Sequence, residues 1–229
     1  MLSYNVRSLR DDAAAVVRVI RSGAAARRLH PEAPRLLRWR SKCAALARRS
    51  GLVVVTGGRT AAANLILSSL DVDVVTTRDV LFTKDRRLSL NGAPRSLYFA
   101  TAASRSPWPE CTSTSLPNLV FAMSASWTGR CPGWCRPARR TVVAGDINDL
   151  PGSAAWTQLT GDRLDVWATI GNGDGFTYSA RNPRRRIDAI FTGPGVVPIS
   201  TRVIDSTDVR HGSDHRPVFV ELELPAERT

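Results

Sequence analysis

Four short stretches gather side chains that can hold a cation or move a proton: Ser3-Tyr4-Asn5-Val6, Gly145-Asp146-Ile147-Asn148-Asp149-Leu150-Pro151, Arg186-Ile187-Asp188-Ala189-Ile190-Phe191 and Ser213-Asp214-His215-Arg216-Pro217-Val218. If Asp146-Ile147-Asn148 is extended, positions i and i+2 face the same way, so an acid and an amide converge on one substrate atom. Asp214 followed by His215 sets an oxygen ligand beside a proton carrier, the pairing that Mg²⁺-assisted phosphate chemistry needs. Taken singly, each residue has a plainer role. Asp146 and Asn148 suit a turn, Asp188 could pair with Arg186, and His215 could lie on the surface. Their combination and order give the chemical reading its weight.

These stretches need elements to hold them. Residues 2–6 alternate like a strand, and Asp11 and Asp12 can cap a helix over residues 13–20. Pro34 suits a first helical turn, and Leu36, Leu37, Cys43, Ala44 and Leu46 recur at helical spacing toward Ser50. Short β-branched or leucine-rich runs at 52–56, 63–68, 72–76 and 79–82 read as successive strands. Three more strands are expected at 141–144, 186–191 and 217–224, with a helix after Pro151. Strands outnumber helices, which favours layered α/β architecture with mixed sheets over a doubly wound parallel sheet. No repeat or linker divides the chain, so residues 1–229 read as one domain.

Composition narrows the class. At 43% hydrophobic and 23% charged, the 229 residues describe a globular chain and exclude collagen-like, coiled-coil and disordered readings. No apolar run reaches the ~20 residues of a bilayer span, and MLSYNVRSLRDD lacks a secretory layout. A cytoplasmic protein with no membrane partner is therefore expected. Four cysteines are too few for a disulfide scaffold, and Cys131 and Cys135 lack a second zinc-ligand pair. The net charge is +12, but only Lys42 and Lys84 among the cations are lysine. A GC-rich coding sequence produces such an arginine bias without selection for binding, and no basic stripe interleaved with aromatics accompanies it. A solvated surface is thus the favoured reading of the charge.

The ordered motifs YNV, GDxN, RIDxIF and SDHRPV resemble those of the endonuclease/exonuclease/phosphatase superfamily of metal-dependent phosphoesterases, from Ser3 to Leu224. The resemblance implies a DNase I-like four-layer α/β sandwich, with two packed mixed β-sheets flanked by helices. It implies that Asn5, Glu32 and Asp214 hold Mg²⁺ or Mn²⁺. Asp146 would activate or position the attacking water, Asn148 would bind phosphate, and His215, oriented by Asp188, would stabilise the charged phosphate. The expected partner is a phosphate-ester substrate, nucleic acid among the candidates, and the expected state is a monomer. The alternatives from other classes are an inactive relative that keeps the scaffold and a basic nucleic-acid-binding module.

Two elements of the family pattern are missing: a His-x-Asp strand end before GDxN, and an apolar strand ending in Gln-Glu before the metal glutamate. Residues 96–138 instead hold three cysteines, three tryptophans and five prolines, and proline at that density does not suit an interior strand. Back-translating Glu110-Cys111-Thr112-Ser113-Thr114-Ser115 as GAG TGC ACC TCG ACC TCG and reading from each third base gives Val-His-Leu-Asp-Leu, the missing element. Residues 26–31 shifted by one base can likewise end in Gln directly before Glu32. Windows 24–31 and 96–138 therefore read as out-of-frame translation, with a copy impaired in folding and activity. The gene sequence across codons 20–35 and 90–145 is expected to show compensating insertions or deletions against close relatives; an uninterrupted frame would sink this reading.

Overall fold

The computed structural model describes residues 1–23, 27–61, 63–72, 74, 76–81, 98–103, 119–124 and 141–223, the side chains of 27–29, 60, 76, 78–81, 98–103 and 119–124 excepted. Its strands form two six-stranded mixed sheets. The first contains β1 (Leu2–Ser3), β2 (Arg27–His30), β3 (Val53–Gly58), β4 (Asn64–Ser68), β11 (Val197–Val203) and β12 (Val218–Glu223), in the order β11-β12-β1-β2-β4-β3. The second contains β5 (Thr76–Leu81), β6 (Tyr98–Ala103), β7 (Leu119–Ser124), β8 (Thr141–Asp146), β9 (Leu164–Asp165) and β10 (Asp188–Thr192), in the order β5-β6-β7-β8-β10-β9.

Alternating apolar residues sort into layers because successive strand side chains face opposite ways. Ile66 faces Val142, Ala144, Ile190, Val218 and Val220 in a slab between the sheets. Leu65 and Leu67, on the other face of β4, pack with Tyr4 and Val6 under two helices, α1 (Ala13–Ser22) and α2 (Trp39–Arg49). Helix α1 starts where Asp12 accepts the Ala14 and Ala15 N–H groups, and it buries Ala15, Val16, Val17, Val19 and Ile20. On the second sheet, α3 (Ala154–Thr160), capped by Ser153, sets Trp156 edge-on against Phe191 at 5.5 Å. Helix α4 (Val166–Ile170) follows β9, and α5 (Thr207–Gly212) packs on α1. This is the helix-flanked four-layer sandwich the motifs imply.

Several expectations shift. Strand β5 runs from Thr76 to Leu81 and takes in residues 79–81 of the run expected at 79–82, and the first strand ends at Ser3, so Asn5 lies on the loop beyond it. The window 96–138 does supply strands: β6 and β7 lie inside the second sheet, in stretches that contain no proline. In sequence, prolines 107, 109 and 117 fall between β6 and β7 and prolines 132 and 137 between β7 and β8, none of them within a strand. Residues 110–115, where the His-x-Asp element is missing, lie outside the described residues. In window 24–31, β2 pairs parallel to β1 and antiparallel to β4, and His30 is fully buried. Its Nδ1 lies 3.3 Å from the Tyr4 carbonyl oxygen.

The slab between the sheets makes a direct stability test. Ile190→Ala is expected to lower the unfolding free energy by about 2–5 kcal/mol, whereas Leu37→Ala, at a site 84% exposed, should stay within about 0.5 kcal/mol, both read by urea denaturation.

Candidate active site

The site begins as a matter of register. Strands β8 and β10 are buried at every position, and their antiparallel pairing sets Asp188 opposite Asp146. Both carboxylates fall on the sheet face that carries Val142, Ala144 and Ile190, so they cap one end of the apolar slab. Just beyond β8, the Ile147 N–H donates to the Ile187 carbonyl at 2.8 Å and holds the two strand ends together. Neither carboxylate is more than 2% exposed, an environment that isolated charges do not tolerate.

His215 answers that charge. Its Nδ1 lies 2.8 Å from Asp188 Oδ2, and its Nε2 lies 3.9 Å from Asp146 Oδ2. Burial by itself would discharge the imidazole. The charge and hydrogen bond of Asp188, reinforced by Asp146 and Asp214, outweigh burial and push His215 up to about 9. Asp146 moves in the acid-weakening direction, first through burial and then through the negative charge of Asp188. Asn5 Nδ2 donates to Asp146 Oδ2 at 3.1 Å, and the Asn148 N–H donates to Asp146 Oδ1 at 2.9 Å, so both oxygens of that carboxylate are fixed.

The loops around this core are stitched to one another. Ser213 Oγ donates to the Asn5 carbonyl at 2.7 Å and accepts from the His215 N–H at 3.2 Å. Buried Thr177 Oγ1 accepts from the Ile187 and Asp188 N–H groups at 3.3 and 3.2 Å. Tyr178 sets its ring 5.0 Å from that of His215, with the Arg185 guanidinium 4.7 Å from the other ring centre. Arg7 Nε reaches Asp214 Oδ2 at 3.4 Å. A buried knot braces the strand entry: Arg186 pairs with Asp165 at 2.9 Å and lies over Trp156, whose indole N–H donates to the same carboxylate at 2.8 Å.

Asn5, Asp146, Asp188 and His215 thus form one connected group. Asn148 adjoins it by its backbone, with an exposed side chain and φ of +54°. Asp214 is part-exposed at the rim, engaged with Arg7. Glu32 is exposed at φ +51° on the loop after β2, and that loop runs beside the Asn5 loop: the Val6 N–H donates to the Pro31 carbonyl at 3.1 Å, and the Ser8 N–H to the Glu32 carbonyl. The structure therefore brings Glu32 to the neighbourhood of Asn5 without a side-chain bond to it. Arg186 pairs with Asp165, leaving Asp188 to His215. Sequence reading missed Thr177, Tyr178 and Arg7. It quoted Ser213 within SDHRPV but gave it no role, although a hydroxyl two residues before the histidine was the available signal. The glycine loop at 171–175 wraps Trp167, whose Nε1 donates to the Gly173 carbonyl at 3.1 Å, and any Cβ at Gly171 or Gly175 would overlap that residue.

The donor set suits a hard divalent cation. The amide of Asn5 and the carboxylates of Asp146, Asp188, Asp214 and Glu32 are oxygen ligands, as Mg²⁺ and Mn²⁺ prefer. Ligand atoms of Asp146, Asp188 and His215 lie within 4.8 Å of one another. The 2.8 Å His215–Asp188 bond commits that imidazole to its carboxylate rather than to an ion. Cys43 lies on the buried face of α2, where burial pushes its thiol up to about 11 and leaves no thiolate to offer.

The raised His215 value gives a pH signature. A folded-state pKa above the unfolded ~6.5 means that the Asp188–His215 pair contributes its full stability below about pH 6.5 and loses it as pH rises through about 9. Urea unfolding is expected to weaken across that window in the parent chain and to weaken less in His215→Gln; parallel profiles would refute the assignment.

Comparison with known proteins agrees with the geometry. No curated protein matches the chain. Among solved structures, mannosyl-6-phosphatase of Bacteroides thetaiotaomicron superposes with a TM-score of 0.70 at 14% identity, covering 97% of this chain and 98% of that one. An endonuclease/exonuclease/phosphatase of Bacteroides vulgatus gives 0.70 at 16% identity and 98% coverage of both chains. The sulfate-bound catalytic domain of human Nocturnin gives 0.64 at 10% identity, covering 98% of this chain and 92% of that one. At such identities these likenesses establish the fold. The model of the Endonuclease/Exonuclease/phosphatase family matches residues 2–215, nearly the whole length, and the chain therefore belongs to that family of hydrolytic phosphoesterases.

Proposed function

We propose that the chain is a divalent-metal-dependent phosphoesterase that hydrolyses a phosphodiester or phosphomonoester, with Mg²⁺ or Mn²⁺ as cofactor. The observation that carries this reading is the unbroken series Asn5–Asp146–His215–Asp188, with steps of 3.1, 3.9 and 2.8 Å, closed at one end of the sandwich. A phosphate ester is an anion attacked by a poor nucleophile, so catalysis must neutralise charge and align water. Asn5, Glu32 and Asp214 would hold the cation, which when bound supplies charge neutralisation on the phosphoryl oxygens.

The chain's own residues supply the rest. Asp146, fixed by Asn5 and Asn148 and displaced toward the neutral range by burial, accepts a proton from the attacking water as the new P–O bond forms. His215, a buried cation held by Asp188, faces the charge that grows on phosphate while the old ester bond breaks. The departing oxygen keeps the bonding electrons and takes a proton from solvent water, while Asp146 returns the proton it accepted to solvent. Asn148, exposed beside Asp146, offers its amide to a phosphoryl oxygen. The similarity to a mannosyl-6-phosphatase supports monoesters as substrates beside diesters and nucleic acid.

A second reading, a catalytically silent relative, is favoured by the Glu-Cys-Thr-Ser-Thr-Ser string at 110–115 where the family pattern has His-x-Asp. Loss of one transition-state-stabilising group costs on the order of 10²–10³ in rate. Hydrolysis of a chromogenic phosphodiester and a phosphomonoester with Mg²⁺, Mn²⁺ or EDTA separates the two. Metal-dependent turnover that falls by about 10²–10³ or more in Asp146→Ala and His215→Ala is expected. A folded chain without turnover under any metal would favour the silent relative.

A further inference from the structure

The turn that enters α2 carries an exposed surface that catalysis does not use. Leu36 is 71% exposed and Leu37 84%, consecutive aliphatic side chains at a tip closed by the Trp39 N–H donating to the Leu36 carbonyl at 3.0 Å. Its base is anchored: Ala33 is buried and donates its N–H to the Ala63 carbonyl at 2.6 Å, and Cys43 Sγ lies 3.7 Å from the Pro34 carbonyl. The leucines therefore project from a fixed platform. Around them stand Arg35, Arg38, Arg40 and Lys42, all exposed, with Arg48 and Arg49 at the far end of the helix. No acidic residue occurs between Glu32 and Asp71.

Apolar tip and cationic surround together select the occupant. A second copy of the chain would bring the same cations against these and be repelled. A single-stranded nucleic acid would stack bases on aromatic faces, but Trp39 has none to offer: one face lies so close over Gly58 that a Cβ there would overlap it, and the Arg40 guanidinium sits 4.5 Å from the ring centre. Duplex DNA would meet the arginines through its phosphates and leave the leucines in water. An anionic bilayer surface matches both features, since leucines enter the acyl boundary while arginines meet the lipid headgroups. We propose that residues 35–42 dock the protein on anionic phospholipid membranes, with Leu36 and Leu37 as the inserting pair. Such a contact lies in the interface plane and needs no spanning segment, so it stands beside the lack of any helix long and apolar enough to cross a membrane among the described residues. The proposal does not depend on the assigned reaction, because binding is read without turnover.

The test is sedimentation of the full chain with phosphatidylcholine vesicles containing or lacking phosphatidylserine, at low and raised salt. Variants are Leu36→Ser/Leu37→Ser, Leu36→Ala/Leu37→Ala and Arg35→Gln/Arg38→Gln, each checked for parental thermal melting. Partition to phosphatidylserine vesicles is expected to drop on the order of tenfold or more in the Ser pair, and less in the Ala pair. The Arg variant should lose affinity and part of its salt sensitivity. Three results overturn the proposal: no binding to anionic vesicles at low salt, equal binding by the parent and the Ser pair, or binding to duplex DNA that depends on the leucines while vesicle binding does not.

Discussion

Two carboxylates that the sheet forces side by side, almost without solvent, are the constraint around which the candidate catalytic end is arranged. Asp146 and Asp188 face each other because β8 and β10 pair in one register, and sliding that pairing by one residue would turn a whole strand's inner face outward. Like charges in such a place are costly unless something between them is positive. His215 fills that position, and the bonds of Ser213, Thr177 and Asn5 read as the means of keeping it there. The same electrostatics that would destabilise an ordinary core make the Asp146 carboxylate more basic and keep the His215 imidazolium charged beside it.

The position of the group at the end of the inter-sheet slab joins folding to chemistry. Val142, Ala144 and Ile190 belong to the core, while Asp146 and Asp188, on the same face of the same strands, belong to the site. Precision at the carboxylates is inherited from close packing a few residues away. The Trp156–Asp165–Arg186 knot adds a second fixed point on the outer face, just ahead of Asp188 in the chain.

Much of this was legible in the residues. The apolar runs at 63–68 and 141–144, Asp12 as a cap, and the order of four motifs led to the architecture and to the partners Asn5, Asp146, Asp188 and His215. The dyad of Asp188 with His215 could be expected only through family resemblance, because 27 residues separate them and local pattern carries no pairing information over that distance. Thr177 and Tyr178 escaped for a related reason: their contacts come from a loop laid across two strand ends, and threonine and tyrosine in a polar stretch look like many others. Proline density misled the reading of 96–138, since what decides a strand is where prolines fall rather than how many there are. The exposed leucines at 36 and 37 sat in an apparently amphipathic helical pattern, yet α2 begins only at Trp39 and leaves them outside it.

The first sheet places β12, near the far end of the chain, between β1 and β11. Asn5 and Ser213, which touch, are 208 positions apart. A nascent chain leaving the ribosome would thus carry β1 with one flank open until β12 is made, and the Asn5–Asp146–His215–Asp188 group could not be completed before the segment carrying Ser213 and His215 arrived. Such topology makes formation of the native state slow and late, with unpaired backbone on show meanwhile. Translation that stops short of β12 would leave a chain able to form its early helices and strands but unable to bring His215 to Asp188.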